Sequence, residues 1–409
     1  MELKTNYQYT YFIYPFAIKE GEYKRYVTNL IKSKKCKIKF FDAFKDVELY
    51  KYFVPTIKEK LFQDFSFSND KINSINKLSM RQKVNLLSKQ NCLIFEYVLE
   101  EQMQGKIDEK DGIFFNIPKI ELICFNTGIC FLSIKTHLVE TDKFSDILNF
   151  NYKFENINLE NKNIRKLDTI KIQTSMFNNM SKISEIISDI TGQKIESRKL
   201  DIDDDLFLIY TYACIDSNYW NKDDDFESIE NEFVKLAELK PSDININVDY
   251  DKLSVIANSS FRKIRINNKC VAAICSSTDT ENYTKFYQEY ESKYFYTYII
   301  ALHQRYYLKK LGNNFNKNPN EAIDKFINFT NNIWISEVTT DSLGEKIYKR
   351  CKEKLNLEEI FNDVKKKYDI YYKKLNIEKN KKINRILIWI MLACLALGMG
   401  NLASWLFFK

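Results

Sequence analysis

Polar and apolar residues alternate in the opening stretch YQYTYFIYPFAI, then again in KCKIKFFDAF and in IELICFNTGICFLSIKTHL. A period of two places successive side chains on opposite faces of a strand, so each stretch predicts β-structure. The third carries Asn126-Thr127-Gly128 at its centre, turn residues that predict a hairpin. LFLIYTYACI and KLSVIAN read as further strands, and FRKIRIN with KCVAAICS as a second hairpin turning at Asn267-Asn268. EYKRYVTNLIKS, PTIKEKLFQDF and parts of IRKLDTIKIQTSMFNNMSKISEIISDIT follow a helical period instead. Strands and helices alternate irregularly and without an internal repeat, which predicts an α+β body rather than a doubly wound parallel sheet.

The pattern then turns wholly helical. TDTENYTKFYQEYESKYFYTYIIALHQRYYLKKLGNN predicts one long helix, with Thr278 or Thr280 as N-cap and Gly312-Asn313 as its stop. Tyr283, Phe286, Tyr287, Tyr290, Tyr294 and Tyr298 share a broad face, where rings pack and hydroxyls still reach polar partners. Between Glu345 and Arg385 there is neither proline nor glycine, and Leu357, Phe361, Val364, Tyr368, Tyr371 and Leu375 form an a/d seam. Such a seam packs either against the rest of the chain or against other copies as a stalk.

From Ile386 to Phe408 no residue is charged. A helix of that run is roughly 34 Å long, enough for a hydrocarbon core about 30 Å thick, so it predicts a membrane span. Lys379, Lys381, Lys382 and Arg385 before it, against Lys409 after it, predict a body on the cytoplasmic side of a bacterial inner membrane. Small residues recur at Ala393, Ala396, Gly400, Ala403 and Ser404, a surface that allows close helix approach, and Asn401 supplies an amide for an interface or a pore.

Composition narrows the chemistry. Nine glycines and five prolines in 409 residues leave little room for a Gly-rich phosphate loop or long flexible linkers. The nine cysteines form no CxxC pair and read as reduced, mostly buried thiols. With only His137 and His303, a zinc site or a Ser-His-Asp triad has few ways to be built, and no catalytic residue, metal site or cofactor is assigned. Asp203 and Asp205 could hold Mg²⁺ for nucleotidyl chemistry, but no third carboxylate stands at a recognisable spacing; a solvated acidic cluster is the simpler reading. The net charge of +7 includes Arg262, Lys263 and Arg265 in one hairpin, candidates for a nucleotide or oligonucleotide, and Arg165, Lys166, Arg198 and Lys199 elsewhere. Part of that excess is the basic cluster before the apolar run, which anionic lipid alone would explain.

The Lys/Glu-rich helix running through EKNKKINR into an apolar stretch with Gly398-Met399-Gly400-Asn401 resembles the end of CorA-type channels. An additional glycine interrupts their Gly-Met-Asn motif, and eight residues after Asn401 leave no room for a second span. The resemblance therefore implies an architecture, an oligomer on converging helices, rather than magnesium transport. In layout the chain is also similar to membrane channel effectors of bacterial antiviral systems of the Hailong type.

The sequence thus predicts an α+β cytosolic body followed by long C-terminal helices and a single transmembrane helix. Boundaries fall at 1–150, 151–275, 276–382 and 383–409. The expected function is non-enzymatic: a homo-oligomer, in contact with membrane lipid, whose ligand-sensing body controls a small channel or membrane-disrupting bundle, as in antiviral defence. The alternatives are an anchored nucleotide enzyme using Asp203 and Asp205, and a passive scaffold.

Overall fold

The computed structural model describes residues 2 to 407 except 20, 43, 64–65, 100–102, 108–111, 140, 156–169, 174–179, 193–206, 246–254 and 282; in the last helix, side chains are described as far as Leu397. The chain divides into two compact units. One comprises Met1–Tyr307 with Ile335–Glu358, the other Leu308–Trp334 with Glu359–Lys409.

The first unit is built on one sheet. Its strands are β1 (Thr5–Ala17), β2 (Cys36–Ile38), β3 (Cys92–Tyr97), β4 (Met103–Ile107), β5 (Ile113–Phe125), β6 (Ile129–Leu138), β7 (Ile170–Gln173), β8 (Met180–Lys182), β9 (Leu208–Ile215), β10 (Ile256–Ser259), β11 (Arg262–Ile266) and β12 (Cys270–Ser276). The order is β10-β11-β12-β9-β1-β6-β5-β4-β7-β8, with β3 also pairing β5 and β2 flanking β3. Among the described strands only β9 and β12 pair in parallel. A mixed α/β fold is the result, antiparallel at its centre.

Alternation along the strands gives the sheet two faces of different chemistry. One is apolar: Phe12 and Phe16 of β1, Leu122 of β5 and Leu132 of β6 are buried in a core with Phe150 and Phe154 of the helix Phe144–Glu155. Phe12 stacks on Phe154 with ring centroids 3.7 Å apart. The other face is rich in tyrosine. Tyr9 and Tyr11 of β1 and Tyr210 and Tyr212 of β9 are buried there. They lie against the helix Tyr283–Glu289, its continuation Tyr290–Tyr294 as a π-helical turn, and the helix beginning at Phe295. The predicted hairpin turn is present, with Gly128 at φ 80°, a left-handed conformation that favours glycine.

In the second unit, the helix Pro319–Asn332 packs its Phe326 against Phe361 and Tyr368 of the helix Leu357–Phe407, with ring centroids 5.7 and 5.1 Å apart. Phe361 stacks on Trp334 at 4.5 Å and Tyr371 on Phe315 at 5.9 Å. The seam from Phe361 to Tyr371 is thus covered by this chain's own helices.

The expected membrane span is corrected here. Among the described residues no helix is long and apolar enough to cross a membrane. The terminal helix has 51 residues. Its described apolar side chains, from Ile386 to Leu397, directly follow Lys381, Lys382 and Arg385. The expected single-pass placement in a bacterial inner membrane rested on that span and is withdrawn with it.

Candidate functional site

Three apolar strands of the first unit each carry charge where a neighbouring strand passes. Glu96 interrupts CLIFEY in β3, Lys119 and Glu121 stand in β5, and Lys135 stands in β6. The registers place Lys119 opposite Lys135 and Glu96 opposite Glu121. Like charges directly opposite one another destabilise a sheet unless a counter-charge is supplied.

Lys39 supplies it. Its Nζ donates to Glu121 Oε1 at 2.7 Å and to the Tyr296 hydroxyl at 3.2 Å, and it lies 3.8 Å from Glu96 Oε1. Lys119 Nζ reaches the same Glu121 Oε1 at 3.1 Å. Burial by itself raises the Glu121 carboxyl, but Lys39 and Lys119 outweigh it and hold the group down at about 2. Lys135 points elsewhere. Its Nζ donates to Glu291 Oε1 at 2.6 Å and to the Tyr287 hydroxyl at 3.2 Å, and sits 4.7 Å from the ring centroid of Tyr9. Tyr11 also donates to Glu291 Oε1, at 2.8 Å. Burial opposes ionisation of Glu291, while Lys135 and the two tyrosines favour it more, so its carboxyl lies below the usual range.

Beside this network the sheet forks. The outer edge of β5 pairs with β4 over Ile113–Ile117 and with β3 from Glu121 onward. Pro118, Lys119 and Ile120 fall between the two partners. Pro118 has no N–H to offer a ladder, and the β5–β6 register shifts between Asn116 and Lys119. The gap is a cleft of ≈ 360 Å³ lined by Glu96, Tyr97, Leu99, Pro118, Lys119, Ile120 and Lys135. With the Lys135 head turned to Glu291, the charged groups facing this cleft among the described residues are Lys119 and Glu96, their side chains 30% and 47% exposed.

The sequence-predicted ligand residues lie on another part of the sheet, Lys263 and Arg265 on one face against the helix Asp225–Glu238 and Arg262 on the other. Arg262 donates to Asp279 Oδ2 through Nε and Nη2, at 3.0 and 2.8 Å. Arg265 donates to Glu238 Oε1 at 2.9 Å, and the Lys263 amine lies 5.0 Å from the Phe226 ring centroid. Alternation along β11 sets Lys263 on the face opposite Arg262. Asp203, Asp205, Arg165, Lys166, Arg198 and Lys199 lie outside the described residues. The neighbouring Asp225 begins a helix, its Oδ2 accepting from the backbone N–H groups of Asn221 and Lys222. Among the described residues no group of three His, Cys, Asp or Glu side chains is placed to hold a metal. His303 is buried, stacked on Phe125 at 3.8 Å and hydrogen-bonded to Thr127 Oγ1 at 2.9 Å, a packed structural histidine.

Ala393 and Ala396 are exposed on the terminal helix. Gly400, Asn401, Ala403 and Ser404 occupy its last turns, beyond the described side chains. The network around Glu121 escaped the sequence reading because its members come from five separate segments. The one signal was charge inside each of three apolar strands, one residue in β3 and β6 and two in β5.

No protein family, curated protein or solved structure matches the chain.

Proposed function

We propose that the protein is a non-enzymatic homo-oligomer in which a small ligand is sensed by the α/β body and the C-terminal helix associates copies. One observation carries this reading. From Ile386 to Leu397, nine large apolar side chains each expose half or more of their surface, Trp389 72% and Leu397 71% among them. At roughly 150 Å² per side chain this is on the order of 700 Å², more than the apolar patch of about 300–600 Å² usual on a monomer. The residues lie on every side of the helix. An all-round apolar helix needs cover on all sides, so several copies gathered together satisfy it better than one groove does.

The sensing half rests on the fork cleft, a concave site with charged and apolar walls, whereas Arg262 and Arg265 are already engaged by carboxylates. A ligand favouring one assembly state shifts the equilibrium by its differential affinity. Sedimentation equilibrium of the full chain tests the assembly. A mass that is a multiple of 48.8 kDa is expected, falling to the chain mass in the Leu387→Lys, Ile390→Lys double variant. A wild-type chain that stays single at every accessible concentration overturns the proposal.

A further inference from the structure

We infer that the fork cleft binds a free apolar α-amino acid as its zwitterion; this deepens the reading of the body as a sensor and rests on it. Among the described residues the cleft offers one cation and one anion. Lys119 shares Glu121 Oε1 with Lys39, at 3.1 and 2.7 Å, so its counter-charge is divided. Glu96 faces the cleft half-exposed, its ion-pair contact among the described residues being the long 3.8 Å one to Lys39. The register makes the pair diagonal neighbours on one face, since Glu96 stands opposite Glu121 and Lys119 is two residues before Glu121. Diagonal positions lie about 7–8 Å apart along the sheet, close enough for one small molecule to reach both side chains.

The rest of the lining is apolar or aromatic: Leu99, Pro118, Ile120, Tyr97 and the methylene stem of Lys135. A carboxylate on Lys119, an ammonium on Glu96 and an apolar side chain along that wall match the three surfaces. A nucleotide matches them poorly. Its phosphates would meet Glu96, and ≈ 360 Å³ is at the small end for a ligand site.

Titration calorimetry of the full chain with L-phenylalanine and L-leucine tests this. Saturable binding of at least one is expected. For the amino acid that binds, the analogue lacking the amine and the analogue lacking the carboxylate should each bind about tenfold to a hundredfold more weakly, the loss of one charge-assisted hydrogen bond. Lys119→Met and Glu96→Gln should weaken it by a similar factor, whereas Lys119→Arg should retain binding. Leu99→Trp fills the cleft without touching a charge and should abolish it. Absence of binding for both amino acids, equal affinity for the one-charge analogues, or unchanged binding in Leu99→Trp overturns the inference. Because the readout is occupancy rather than mass, its failure is distinct from a failure to assemble.

Discussion

Glu121 is the residue on which the body's charge balance turns. It is 1% exposed, and it accepts from two lysines while standing opposite a second glutamate. Its carboxyl is depressed from 4.5 to about 2 in the folded chain. The unfolded state therefore takes up the proton first as pH falls. The stability gained is fully present above about 4.5 and is lost as pH drops through about 2. Linkage puts it at about 3 kcal/mol. Glu121→Gln should cost about that much by urea denaturation at pH 7 and should flatten the acid limb of the stability profile; a variant with the wild-type acid limb would assign that limb to other groups. At this scale the sequence was half legible. A Glu or Lys inside an apolar strand is visible in the letters. Its partner is not, because Lys39 and Glu121 meet through the registers of β2 on β3 and of β3 on β5.

At the scale of elements, the tyrosine-rich helix was legible and its termination was not. Gly312-Asn313 reads as a stop, yet the helix runs on from Phe295 to Lys317. A Cβ at Gly312 would stand 3.4 Å from Val364, so the glycine serves the close approach of another helix rather than a cap. The π-helical turn Tyr290–Tyr294 gave no sequence signal either. It belongs to an exchange of phenols: Tyr210 donates to the Tyr290 carbonyl at 2.6 Å, and the Tyr290 hydroxyl approaches the Thr211 and Val271 carbonyls at 3.1 Å each. The two rings stack at 4.2 Å. Tyr290→Phe keeps the stack and loses the hydroxyl, so a cost of about 1–2 kcal/mol is expected, as a lower urea midpoint at unchanged slope. Tyr372→Phe, on the exposed side of the terminal helix, should leave the midpoint within about 0.5 kcal/mol.

For the whole molecule, the decisive contrast lies along the terminal helix, and it was read correctly as a pattern but not as an environment. The apolar run, the basic stretch before it and the aromatic seam before that are all plain in the sequence. Only the structure assigns the seam to the chain's own helices, and among the described residues no helix is long and apolar enough to cross a membrane. Association through Ile386–Leu397 then carries an electrostatic penalty. Residues 373–385 hold six cations, Lys373, Lys374, Lys379, Lys381, Lys382 and Arg385, against one anion, Glu378, a net charge of +5 per copy. Parallel helices packed about 8–10 Å apart bring these stretches within about one Debye length of each other at physiological salt. Apolar burial is nearly indifferent to modest salt, whereas this repulsion is screened by it. The dissociation constant for assembly should therefore fall as sodium chloride rises from about 0.05 to about 0.5 M, with the steepest change below about 0.15 M, where the Debye length exceeds 8 Å. Replacing Lys381, Lys382 and Arg385 by glutamine should tighten assembly at low salt and remove most of the salt dependence. If sedimentation instead shows copies separating as salt rises, opposite charges hold them together and the apolar run is not the contact.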